Sequence, residues 1–102
     1  MKKFKRFFCW HKIYKHPVYV LSEYKNYYTF IMLTHASKWK YRKKNIPLSY
    51  PIDRNDTKKN YIVPQICVDD KENFSEKVKY SFSRKDGYKI RDLVKIIRGK
   101  VV

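Results

Sequence analysis

Three side chains able to move or share a proton stand at the borders of two apolar runs. His16 opens His16-Pro17-Val18-Tyr19-Val20-Leu21, and Thr34 and His35 close Ile31-Met32-Leu33-Thr34-His35. An imidazole serves as base or acid near neutral pH, and a hydroxyl can donate to a charged oxygen. Lys15 precedes His16, and a cationic stretch follows His35: Lys38, Trp39, Lys40, Tyr41, Arg42, Lys43 and Lys44. Cations interleaved with rings suit an unpaired nucleic-acid strand, because cations neutralise phosphates and rings stack on bases for roughly 1–3 kcal/mol each. The pattern points either to chemistry on a polyanion or to a small domain that only holds one. His11 is a weaker candidate than the other two histidines. The three are scattered, with few carboxylates near them in sequence, and make no metal pattern.

The balance of charge agrees with an anionic partner. The 102 residues carry a formal net charge of +16, and residues 1–50 hold 12 Lys or Arg against one acid, Glu23. That half also carries 13 of the 18 Phe, Tyr and Trp residues. So many aromatics argue for a folded domain despite the charge, and the length allows one domain, 1–102. Gly87 and Gly99 are the only glycines, which excludes nucleotide binding through glycine-rich phosphate loops. Cys9 and Cys67 lie too far apart for a zinc pattern and sit among apolar neighbours, as buried free thiols of a reducing compartment do. The apolar run Phe7–Trp10 is too short for a leader, and no stretch is long enough to span a bilayer. The expectation is a soluble, cytoplasmic protein without a membrane partner.

Short strands must position the candidates. Residues 4–14 alternate loosely between aromatic and basic positions, as an edge strand with a wet cationic face would. Val18–Ser22 and Tyr27–Leu33 read as the two arms of a hairpin over 17–34, with Asn26 suited to the left-handed turn position. Residues 35–45 read as a hydrophilic loop, Ile46-Pro47-Leu48 as a short strand, and Tyr61–Val68 as a strand that Pro64 confines to an edge or bulge. Asp69–Asn73 turns the chain before a short final strand over Val78–Phe82. The aspartates and glutamates between strands occupy turns, where they serve the backbone. Ser83 with Asp86 makes a capping-box-like start for a helix over 83–98 whose apolar face is Ile90, Leu93, Val94 and Ile97. Strand alternation sets His35 on the opposite face from Thr34. The fold class expected is mainly β with a C-terminal helix (α+β), a small SH3-like β-barrel with the helix packed against it.

Four segments resemble the MazF/PemK/Kid toxin family in the right order. His16–Leu21 is similar to its "RPVLVI" strand, and Ile31–Ala36 to its "APIT" strand end. Asn60–Ile66 is similar to its "DSYVLLDQI" strand with Gln65 at the glutamine, and Phe74–Ser83 to the run before its last helix. The resemblance covers roughly residues 16–97, and the family's opening strand and loop are compressed here into residues 1–15. It implies a PemK-like, SH3-like barrel, often a homodimer, that cleaves single-stranded RNA without metal or cofactor and is held in check by a cognate antitoxin. The family's catalytic arginine falls on His16, and its Ser or Thr falls on Thr34. The catalytic residues implied are thus His16 and Thr34, with Lys15, His35 and residues 38–44 (Lys38, Trp39, Lys40, Tyr41, Arg42, Lys43, Lys44) as the RNA-binding set. The alternatives are a non-catalytic nucleic-acid-binding module of a phage or mobile element, or a small inhibitor of an acidic partner.

Overall fold

The computed structural model describes residues 4–39 and 43–99, so Lys40, Tyr41 and Arg42 lie outside the described residues, as do the side chains of Trp39 and Lys43. The chain is mainly β, a five-stranded antiparallel sheet with one C-terminal helix. In order come β1 (Phe7–His11), β2 (His16–Tyr24), β3 (Tyr27–Thr34), β4 (Lys38–Trp39), β5 (Lys43–Lys44), β6 (Ile46–Pro47) and β7 (Tyr61–Asp70). A one-turn 3-10 helix, Lys71–Asn73, and helix α1, Arg84–Gly99, follow β7. The sheet runs β1-β2-β3-β7-β6, and β4 and β5 pair as a separate two-residue ribbon. Among the described residues no ladder joins β1 to β6, so closure into a barrel is not detected. No described helix is long and apolar enough to cross a membrane.

The 17–34 hairpin forms as the apolar runs predict, but a different residue carries its turn. Tyr24 pairs with Tyr27 across Lys25 and Asn26, and Lys25 (φ 52°) takes the left-handed conformation, not Asn26. The ladder shifts register at Leu21, and the consecutive residues Val20 and Leu21 are both buried because each face of β2 is covered. They serve opposite faces of the sheet. Leu21, Ile31, Leu33 and Ile62 pack with Leu48, Ile52 and the helix residues Ile90 and Val94. Val18, Val20 and Phe30 pack on the other side with Cys9 and Phe74. Both faces of β3 are therefore covered, which explains why Tyr27–Leu33 reads as a nearly continuous apolar run.

Pro64 falls where the β3–β7 ladder slips, between the pairs Ile31↔Ile66 and Leu33↔Ile62, and β6 pairs only with Tyr61 and Ile62. The proline needs no ladder partner there. Helix α1 begins as expected, with the Asp86 amide donating to Ser83 Oγ at 3.2 Å. The Asp86 side chain is fully buried and accepts from the amides of Ser49 (2.9 Å) and Tyr50 (3.2 Å). Its carboxyl titrates below the usual range: burial opposes the charge, and these amides with Ser83 outweigh it. One carboxylate thus ties the helix start to the loop after β6.

Three expectations are corrected. β1 has no wet face, since Phe8, Cys9 and His11 are all buried. Residues 73–78 run along its outer side, with Ser75 N donating to Trp10 O (2.8 Å) and Val78 N to Phe8 O (3.0 Å). The strand expected over Val78–Phe82 reduces to a single bridge, Phe8↔Val78. Beyond that bridge the backbone turns to a different partner, Ser81 N donating to Ile52 O (3.1 Å). The loop over 35–45 contains the β4–β5 ribbon, in which Lys38 pairs with Lys44. Cys9 and Cys67 are free, the first buried and the second only partly so, and burial pushes the Cys9 thiol up to about 11.

Candidate active site

The start of β2 and the end of β3 lie side by side. Their ladder runs Val20↔Phe30, Tyr19↔Ile31, Val18↔Met32 and stops there, two residues short of His16 and Thr34. On the other flank of β2, His16 pairs with His11, and on the other flank of β3, Thr34 pairs with Tyr61. One end of the sheet therefore collects the proton-moving residues. A cavity of about 580 Å³ opens there, lined among others by Lys15, His16, Thr34, His35, Asp56 and Tyr80. Leu33 and Ile52 contribute apolar lining, and Trp10 borders it with Nε1 donating to Tyr80 Oη at 3.3 Å.

Lys15 reaches the rim through a constrained turn. It adopts φ 57°, and its amide donates to His11 O at 2.8 Å, closing the four-residue loop between β1 and β2. A non-glycine residue in this region costs roughly 1–2 kcal/mol, so the surrounding ladder must hold it. At the far border, the Ala36 amide donates to Thr34 Oγ1 at 3.1 Å. That bond bends the chain immediately after β3 and leaves the threonine hydroxyl hydrogen free to point elsewhere.

The bend explains the position of His35. Alternation would have put it on the face opposite Thr34, but the strand ends at Thr34, and His35 borders the same cavity. Its Nε2 lies 2.6 Å from Asp56 Oδ2. Because an ionised carboxylate only accepts, Nε2 carries the hydrogen, and in the neutral ring Nδ1 holds the lone pair. The ring is about half exposed (52%), whereas Asp56 is mostly covered (19% exposed). Asp56 is fixed from behind by Asn60 Nδ2 (2.9 Å) and the Lys58 amide (3.0 Å). Asn60 is itself buried and takes the Ile52 amide on its Oδ1 at 3.1 Å. The His35 bond, followed by those from Asn60 and Lys58, lowers the Asp56 carboxyl to about 2 against the opposing effect of burial. It stays ionised through any physiological pH.

His11 has a different fate. It is fully buried, with Nε2 at 2.6 Å from Asp69 Oδ2 and Nδ1 accepting the Tyr14 amide at 3.1 Å. Both ring nitrogens are engaged, and the ring is stacked on Tyr14 at 4.1 Å. It holds the sheet together, reaching from β1 past β2 and β3 to β7.

The structure thus brings Lys15, His16, Thr34 and His35 to one cavity. Lys38 and Lys44 are exposed on the neighbouring ribbon and do not line it. The residues that sequence reasoning missed are Asp56, Asn60, Trp10 and Tyr80. Asp56 reads as a turn residue, and so it is, but the turn also carries it to a histidine 21 positions away. The cavity's lining sets one lysine against two aspartates, Asp53 and Asp56, with Asp56 engaged by His35. Among the described residues no group of three or more His, Cys, Asp or Glu side chains is arranged to hold a metal ion. The chain matches no family model, no curated protein and no solved structure.

Proposed function

We propose that this protein is a metal-independent endoribonuclease that cleaves single-stranded RNA, a toxin-like enzyme of the MazF/PemK/Kid kind. The observation that carries the reading is the convergence of two imidazoles, one backed by a carboxylate, with a hydroxyl and an ammonium on one cavity. Support for an SH3-like barrel comes from the bend of the sheet: His11 of β1 touches Asp69 of β7, and residues 73–78 line the outer side of β1. The resemblance of four segments in order points the same way.

In this mechanism His35 Nδ1 takes the proton of a ribose 2′-hydroxyl, with Asp56 holding the ring and balancing the charge it gains. The 2′-oxygen attacks the adjacent phosphorus, the bond from phosphorus to the 5′-oxygen breaks, and protonated His16 gives its proton to that oxygen. The products are a 2′,3′-cyclic phosphate and a 5′-hydroxyl. Thr34 Oγ1–H and the Lys15 ammonium stabilise the non-bridging oxygens as charge builds on them. His16 thus replaces the family's arginine with a group that can surrender a proton at neutral pH. The Lys38↔Lys44 pair supplies a grip on the strand outside the cavity. Two like charges opposite one another cost stability, and a phosphate between them relieves that cost.

On this reading the partners are single-stranded RNA and a cognate antitoxin, either protein or RNA, and the enzyme works as a cytoplasmic homodimer. A second reading, a basic module that binds RNA without cutting it, is favoured by the exposed lysines of the ribbon alone. The two separate on incubation of purified protein with single-stranded RNA in EDTA. Cyclic-phosphate ends that vanish in His16→Ala and His35→Ala support the enzyme; tight binding with intact RNA supports the module.

A further inference from the structure

A second concavity lies on the other side of Tyr80 from the cavity. It is an open groove of about 630 Å³, bounded by β1 and β2 on one side and residues 77–82 on the other. Arg6, Lys77 and Lys79 line it, and no acidic residue does. Its rings are Tyr19, Tyr80 and Phe82, all half-buried, resting on the buried Phe8. They form one cluster: Phe8 lies 4.8 Å from both Tyr19 and Phe82, and Tyr19 lies 4.9 Å from Phe82. Lys77 Nζ sits 4.9 Å over the Phe7 ring, and the Arg6 charge acts on the Tyr19 hydroxyl against the upward push of burial.

Tyr80 lines both the cavity and this groove, so the two share a wall. Their electrostatics differ. The cavity sets one lysine against two aspartates, whereas the groove has three cations, Lys77 and Lys79 exposed and Arg6 half-buried, and no acid among its described lining residues. Fixed cations beside partly exposed rings form a surface complementary to a chain of phosphates carrying unpaired bases.

We propose that this groove is a second subsite for single-stranded RNA, which binds the nucleotides flanking the phosphate held in the cavity. Arg6, Lys77 and Lys79 contact successive phosphates, and the Tyr19–Tyr80–Phe82 cluster supports the bases as the strand crosses Tyr80. This rests on the cleavage reading for its direction, since the flanking nucleotides are defined by the phosphate that is cut. The consequence is a division of labour: chemistry in the cavity, and affinity for longer strands in the groove.

The test uses fluorescence anisotropy with a labelled 12-nucleotide RNA methylated at every 2′-oxygen, which cannot be cut, beside cleavage of an unmodified trinucleotide. Lys77→Glu/Lys79→Glu is compared with Arg91→Glu/Lys95→Glu, a charge-matched change on exposed positions of α1. The groove variant is expected to lose at least ten-fold in affinity for the 12-mer, and the helix variant no more than two-fold. The neutral variant Lys77→Gln/Lys79→Gln lies between, with its slope of log K against log salt reduced by about 1.4 for two lost phosphate contacts. Equal losses in groove and helix variants overturn the subsite, as does retained 12-mer affinity or displacement of the RNA by polyglutamate at equal residue concentration. If the wild type cuts nothing while the groove variant alone loses the 12-mer, the cleavage reading falls and the groove stands as an RNA-binding surface.

Discussion

His11 and His35 each hold an aspartate at 2.6 Å, yet only His35 is open to solvent. His11 has both nitrogens occupied in a fully buried setting, so it works as a strut. Replacing it by alanine leaves a cavity and strips Asp69 of its partner, a loss of roughly 2–4 kcal/mol that chemical denaturation would read. His35 has one nitrogen occupied and an exposed ring, which is the arrangement of a base held by a carboxylate. His35→Ala is expected to lower the cleavage rate roughly 10²–10⁴-fold with the unfolding midpoint nearly unchanged. Asp56→Asn should act in the same direction but less strongly. Because the folded chain depresses the Asp56 carboxyl to about 2, its contribution to stability is full above the ordinary carboxyl range near pH 4. That contribution fades as pH falls from about 4 towards 2. Acid titration of thermal unfolding in Asp56→Asn should therefore show a shallower decline than the wild type across that window.

At the scale of elements, most strands were legible because apolar runs and turn residues alternate. The hairpin over 17–34 follows from two β-rich runs separated by a short turn, and its two outer ends deliver His16 and Thr34 to one cavity. Helix α1 follows from the 3.6-residue spacing of Ile90, Leu93, Val94 and Ile97. What stayed hidden depended on contacts between distant segments. The pattern in Val78–Phe82 is strand-like, but beyond Phe8 its backbone has no neighbouring strand to pair with and turns to Ile52 instead. His35 borders the same cavity as Thr34 because alternation stops where the strand does. Asp56 is a turn residue by every local rule, and only the folded 52–60 loop shows that it also meets an imidazole. Asp86 is similar, since its position in the first turn was readable and its bonds to Ser49 and Tyr50 were not. With its carboxyl depressed in the folded chain, Asp86 stabilises above about pH 4 and ceases to as it protonates below. Asp86→Ala removes those bonds from a buried site and should cost about 2–3 kcal/mol at pH 7, measured by urea unfolding. Ser83→Ala should cost nearer 1 kcal/mol as a lost cap.

The whole molecule sets the terms on which a substrate arrives. A net charge of +16 on 102 residues draws any polyanion, and alone it does not select RNA. On the proposed reading selection belongs to the cavity, where a 2′-hydroxyl would have to lie against His35 for cleavage. The protein should accordingly bind single-stranded DNA and RNA with similar, steeply salt-dependent affinity, yet leave the DNA intact. The most direct measurement is the chemistry of the ends produced from single-stranded RNA in EDTA, read by mass spectrometry for the wild type, His16→Ala and His35→Ala. A 2′,3′-cyclic phosphate with a 5′-hydroxyl in the wild type, lost in both variants, is the result expected. Uncut RNA with the wild type, or unchanged cleavage in the two variants, would contradict the assignment of this cavity as the active site.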